Sequence, residues 1–134
     1  IVLGLNQLTR NWPKGGLCHA PGAGACPWVN TNARAWMEHN RDKNAPILGY
    51  ELGNEPGLHL HPPYGKNGVN ASDETLAADY ASLQAMLRSV YAGSPTRRPL
   101  VIGPDADLMG DFKKVLAARP MINVSTFHSS PFSI

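Results

Sequence analysis

The sequence predicts an α/β fold, and more closely a partial (β/α)8 TIM barrel of about four consecutive strand–helix units. Three observations carry that expectation. Short apolar runs alternate with amphipathic stretches in the order strand, helix, strand, helix, strand, helix, strand, which right-handed crossovers turn into a parallel sheet. The second of these strands runs into Asn54-Glu55-Pro56, placing a carboxylate at a strand's C-terminal end, where such barrels carry their chemistry. A doubly wound sheet would usually show a Gly-rich phosphate turn after its first strand, and Leu3-Gly4-Leu5-Asn6 lacks the GxGxxG pattern. Four strands are half of a barrel that typically needs about 250 residues. The chain opens on Ile1-Val2-Leu3-Gly4-Leu5, like the middle of a buried strand, with neither an initiator Met nor a targeting segment before it. Residues 1–134 are therefore expected to be a fragment of a single barrel domain, with a loop insertion near 12–30.

Taken in order, residues 1–5 form the first expected strand. Residues 6–30 follow as a long loop with Pro13, Gly15-Gly16 and a cysteine pair; a loop of that length inside a compact domain is usually functional or an insertion. Thr31 or Asn32 is placed to cap a short helix through Asn40, with Ala33, Trp36 and Met37 on its inward face. Ile47 and Leu48 open the second strand, in which Tyr50 and Leu52 share one face while Gly49 and Gly53 allow close backbone packing. Residues 57–71 make a second loop, punctuated by Gly and Pro and carrying His59, His61, Tyr64 and Lys66.

Ser72 caps a long helix whose first turn holds Asp73 and Glu74, both favourable near its positive end. Leu76, Tyr80, Leu83, Leu87 and Val90 or Tyr91 recur at helical spacing as one apolar stripe, and Gly93-Ser94-Pro95 stops the helix. Pro99 to Gly103 is a short buried strand running into Pro104-Asp105-Ala106-Asp107. An amphipathic helix follows, with Leu108, Phe112, Val115 and Leu116 inward and Pro120 as its stop. Asn123 to His128 is the last expected strand.

With 43% hydrophobic and 16% charged residues the composition is that of a folded protein. No apolar run approaches the roughly 20 residues that span a bilayer, so no transmembrane segment is expected, which leaves peripheral membrane association open. Net charge is +2, and the cations are scattered apart from Arg97-Arg98, so nucleic acid is not an expected partner. A mildly basic cleft would suit an acidic sugar. Cys18 and Cys26 lie in a Gly/Pro-rich stretch where a loop-closing disulfide is sterically easy. A zinc site with His19 would lack a second CxxC or HxxxH to complete four ligands. Two sequons, Asn70-Ala71-Ser72 and Asn123-Val124-Ser125, incline toward a secreted protein.

The chemistry that Glu55 would serve is glycosidic cleavage. It requires a proton for the departing oxygen and a second carboxylate that attacks or activates water. Glu55 fits the proton donor if burial or a nearby anion keeps it protonated, and Asn54 could bond a sugar 2-hydroxyl; the plainer alternative is that Asn54-Glu55-Pro56 only makes a turn. Of the other glutamates, Glu38 and Glu74 read as helix-surface charges. Glu51 shares the strand face of Glu55 but lies four residues away, roughly 13 Å, against the approximately 5 Å of a retaining pair. Asp105 reads as a helix cap or cleft-shaping group rather than a nucleophile. His128 at a strand end is a sugar contact or a hydrogen-bonded core group, and His59 and His61 are solvated loop residues. Carboxylate-based hydrolysis needs no metal, so none is expected, nor any other cofactor.

The octet Gly49 to Pro56 resembles the acid/base strand of glycoside hydrolase family 79, the heparanase-like enzymes, whose motif is an aromatic residue followed by Glu-Leu-Gly-Asn-Glu-Pro. Gly4-Leu5-Asn6 is similar to the end of that family's preceding strand. The Val69 to Leu87 segment is similar in register, and Gly103-Pro104-Asp105 and Thr126-Phe127-His128 resemble the ends of the next two strands. The likeness covers nearly the whole chain except Trp12 to Val29. It implies retaining hydrolysis of β-linked, glucuronic-acid-containing glycans by a secreted or lysosomal enzyme, with Glu55 as acid/base and Asn54 on the 2-hydroxyl. Asn6, Asp105 and His128 would line the cleft. The nucleophile would be a Glu on a later strand outside this sequence, leaving the 134 residues inactive by themselves. An exo-acting β-glucuronidase of the same barrel type and a non-catalytic carbohydrate-binding homologue are the alternatives.

Overall fold

Alternation along three short strands decides which side chains meet the helices. A computed structural model of the chain describes residues 1–6, 27–53, 73–103, 106–107 and 121–128. Among these, β1 (Val2–Leu5), β2 (Gly49–Leu52) and β3 (Leu100–Ile102) form a parallel sheet whose order follows the sequence, β1-β2-β3. Helix α1 (Thr31–Asp42) lies between β1 and β2 in the chain, and α2 (Asp73–Val90) between β2 and β3. The expected α/β alternation is therefore present as a mixed fold with a parallel sheet. β4 (Ala106–Asp107) and β5 (Phe127–His128) form a separate parallel pair.

Register puts Leu3 beside Tyr50 and Tyr50 beside Val101, with Leu5 beside Leu52. That face is the core: Tyr50, Leu52 and Val101 are buried against Met37 of α1 and Tyr80, Leu83, Met86, Leu87 and Val90 of α2. The helical stripe read from sequence thus packs from Tyr80 onward, while Leu76 at its start is only half-buried and outside the core, and Tyr91 is buried beside Val90 just past the end of α2. The opposite face carries Gly4, Glu51 and Ile102 in one row and Val2, Gly49 and Leu100 in the next. Val2 is exposed and Glu51 half-buried there.

Several expectations need correction. Trp36 does not face inward; it is 47% exposed. The buried line of α1 runs through Ala33 and Met37, four residues apart, and Trp36 sits about 100° round the helix from Met37. The same helix continues past Asn40 to Asp42, and neither Thr31 nor Asn32 is the cap. Asn30 occupies that position, its side chain donating instead to Ser82 Oγ of α2 at 3.0 Å. Ile47 and Leu48 precede β2 rather than opening it, although Leu48 exchanges backbone bonds with Ile1 and Leu100. Asn123 to His128 is not one continuous strand: Val124 makes a lone parallel bridge to Ile102, and pairing resumes only at Phe127, against a strand at Ala106–Asp107 that was read as a connection. The helix expected over 108–120, the cap Ser72, and Cys18 with Cys26 lie outside the described residues.

A polar cluster near the N-terminal end of β2 ties both helices to the sheet. Asn40 Nδ2 donates to the Tyr50 hydroxyl at 3.0 Å, and the Tyr50 and Tyr91 hydroxyls lie 3.5 Å apart. Arg41 Nη1 donates to the Val90 carbonyl at 2.8 Å, satisfying an acceptor at the end of α2 that the helix itself leaves unpaired. Burial, followed by the contact with the Tyr50 phenol, pushes the Tyr91 hydroxyl pKa up, with Arg41 opposing in part.

Gly49 is required by its neighbour. A Cβ there would stand 2.5 Å from Ile102 Cδ1, 2.8 Å from Ile102 Cγ1 and 2.9 Å from the Leu100 carbonyl oxygen, and the carbonyl cannot swing aside. Gly49→Ala is expected to cost about 1–3 kcal/mol, measured as a lowered midpoint in urea with unchanged slope. The raised Tyr91 pKa makes stability fall at alkaline pH. Its contribution is complete below about pH 10, where the unfolded phenol is neutral, and is lost as pH rises, because the unfolded chain ionises before the folded one. Tyr91→Phe is expected to flatten that alkaline decline, followed by denaturation between about pH 8 and 11.

Candidate functional site

Parallel register brings the strand ends to one edge of the sheet. Leu5 pairs with Leu52, and the Gly53 N–H donates to the Leu5 carbonyl at 3.1 Å, so Asn6 leaves β1 beside the point where Gly53 leaves β2. Gly53 has φ +82° and Gly103, just after β3, has φ +145°. Both values favour glycine, and both glycines stand where the chain turns off its strand toward a candidate residue. Asn54 and Glu55 follow Gly53 directly, and Asp105 is two residues past Gly103. Those three lie outside the described residues.

Tyr80 holds this edge. Its hydroxyl, buried, donates to the Leu52 carbonyl at 2.8 Å, and its ring end fills the space a side chain at Gly103 would need. One α2 residue thereby touches the last residue of β2 and the residue after β3. At the β1 side, Trp28 is 6% exposed and its indole Nε1–H donates to the Asn6 carbonyl at 2.8 Å. That fixes the backbone of Asn6, an exposed residue. His128 ends β5, opposite Asp107 in register. The structure thus brings Asn6 and Gly53 together, while His128 belongs to the neighbouring strand pair.

A cavity of about 610 Å³ opens beside β1 and α1, lined among others by Gly4, Asn6, Trp28, Asn32 and Trp36. Among the described residues its lining offers amides and indole rings, groups that can contact a ligand. Among the described residues no group of three His, Cys, Asp or Glu is placed to hold a metal ion, and no helix is long and apolar enough to cross a membrane.

Sequence reasoning passed over one contact. Thr126 Oγ1 donates to Glu51 Oε1 on the sheet face away from the helices. From the sequence, Glu51 is a carboxylate too distant from Glu55 to pair with it, and Thr126 is part of a strand. The detectable signal was the period-2 spacing that sets Val124 and Thr126 on one face.

Comparison with known families places the chain in context. A family model described as "Glycosyl hydrolase family 79, N-terminal domain" matches residues 1–130. No curated protein matches the sequence.

Because the Trp28 indole joins the Asn6 carbonyl to the core, Trp28→Phe should keep most of the apolar burial and lose the donor. A loss of about 1–2 kcal/mol is expected, read by thermal or urea unfolding.

Proposed function

The chain belongs to glycosyl hydrolase family 79, and on that premise we propose that it forms part of a barrel glycosidase that cleaves β-linked, glucuronic-acid-containing glycans with retention, using Glu55 as general acid/base. Membership makes the protein a glycosidase at the level of the family, with a glycan as substrate. The observation that carries the finer reading is the common strand edge. Asn6, Gly53 and Gly103 leave three adjacent parallel strands on the same side of the sheet, so the segments bearing Asn54, Glu55 and Asp105 all depart from there. In a barrel that edge is the catalytic mouth.

The strand order supports a barrel over a doubly wound sheet. Doubly wound sheets reverse their order at a switch point, whereas β1, β2 and β3 follow the chain without reversal and Val124 extends the series past β3. Residues 1–134 then represent about four of the eight units within one catalytic domain. The face carrying Gly4, Gly49 and Glu51, away from α1 and α2, would line the barrel interior.

In the proposed reaction Glu55 gives its proton to the glycosidic oxygen while a second carboxylate, supplied from outside these 134 residues, attacks the anomeric carbon. Glu55, now ionised, takes a proton from the water that hydrolyses the glycosyl-enzyme, and two inversions give retention. Asn54 bonds the 2-hydroxyl, and Asn6, Asp105 and His128 line the cleft. The net charge of +2 suits a uronate. The sequons at Asn70 and Asn123 support a secreted or lysosomal location; Asn123 is exposed, with its side-chain oxygen accepting from the Val101 N–H at 2.9 Å.

In the whole enzyme Glu55→Gln is expected to lower kcat by about 10²–10⁴-fold on glycans with poor leaving groups. Activated aryl glycosides, whose leaving groups need less protonation, should lose much less. Equal losses on both would refute the acid role, and retained glycan binding without turnover in the wild-type protein would favour the carbohydrate-binding alternative.

A further inference from the structure

The Glu51–Thr126 contact spans the sheet in an unusual way. Glu51 pairs in register with Ile102 of β3, and Ile102 bridges Val124, so Thr126 belongs to a path two strand spacings from Glu51, roughly 9–10 Å. Ile102, which stands between them in register, leans toward Gly49, against the position a Cβ there would take. Gly4, on the other side of Glu51 in the same row, has no side chain to meet it. The carboxylate therefore crosses β3 and meets the Thr126 hydroxyl. The approach of Thr126 is itself set by backbone: its N–H donates to the Gly103 carbonyl at 3.3 Å, and the Gly103 N–H donates to Val124 at 3.0 Å.

We propose that Glu51 and Thr126 are positioning residues, a side-chain strap that fixes the strand leading to Glu55 against the strand ending in His128. β2 has no backbone pairing with the Thr126 segment, because β3 lies between them, so a side-chain link sets their lateral relation directly. Glu55 follows Glu51 by four residues and His128 follows Thr126 by two, so the strap sits just behind both strand ends. A bond to an ionised carboxylate is shorter and stronger than a neutral one, and misplacing a reacting group by about 1 Å can cost as much as 10²-fold in rate. The inference rests on the acid/base reading of Glu55 and adds two residues that do not touch substrate.

The test uses the whole enzyme and two substrates that differ in leaving group. Thr126→Val removes the donor at constant shape. It is expected to lower kcat roughly tenfold on a glycan with a poor leaving group, to change KM by less than about twofold, and to leave an activated aryl glycoside nearly unaffected. Thr126→Ser, which keeps the hydroxyl, should restore kcat. Glu51→Ala should match Thr126→Val, and the double variant should be no worse than either alone. Should Thr126→Val fail to fold, Glu51→Gln keeps a neutral acceptor and is expected to show the same selective loss at about two- to threefold. Equal losses on both substrates, additive losses in the double variant, or wild-type kcat in Thr126→Val would each overturn the strap. Glu55→Gln run in parallel separates the two ideas: leaving-group dependence there, with none in Thr126→Val, removes the strap and leaves the acid in place, whereas its absence in Glu55→Gln removes both.

Discussion

The hydrogen bond from the Tyr80 hydroxyl to the Leu52 carbonyl is the constraint from which the organisation of the site edge follows. It anchors a long helix to the final residue of β2, and it demands glycine at 103, where a side chain would collide with the phenol. The bond is buried, so the phenol has exchanged water for one carbonyl, and a lost partner there would leave an unsatisfied polar group costing about 1–3 kcal/mol. Helix packing and strand-end geometry are therefore coupled through one side chain. The positive φ values at Gly53 and Gly103 then set the directions in which the candidate segments depart.

The two ends of the sheet do different work. Around Tyr50, Tyr91, Asn40 and Arg41, polar atoms are spent on joining α1 and α2 to each other and to β2. At the other end the bonds go to strand-terminal backbone, through Tyr80 to Leu52 and Trp28 to Asn6. In (β/α)8 barrels the strand N-terminal face serves stability and the C-terminal face carries the ligand contacts.

Much of this was legible in the sequence because period and position carry it. Tyr80, Leu83 and Leu87 of the expected stripe pack as their spacing predicts, and Tyr50 with Leu52 face the core because alternate strand residues share a face. The family was legible from the octet at Gly49, and the match over residues 1–130 agrees. Other features depend on tertiary partners that periodicity does not encode. Trp36 is large and apolar, which biases a reading toward burial, yet its angle on α1 takes it away from the line of Met37. Asn30 rather than Thr31 precedes the helix, and its amide bonds Ser82 instead of capping the first turn. The break between Val124 and Phe127 arises from a change of pairing partner, from β3 to β4, and nothing in Asn123 to His128 marks it. Glu51 found its partner 75 residues along the chain.

β1 has a neighbour on one side alone among the described residues, and around it Ile1, Val2 and Trp36 present apolar surface to solvent. A strand edge with hydrophobic surroundings is a template for another chain. Such surface favours self-association, so low solubility would be a property of this edge rather than a failure of the sequence to fold.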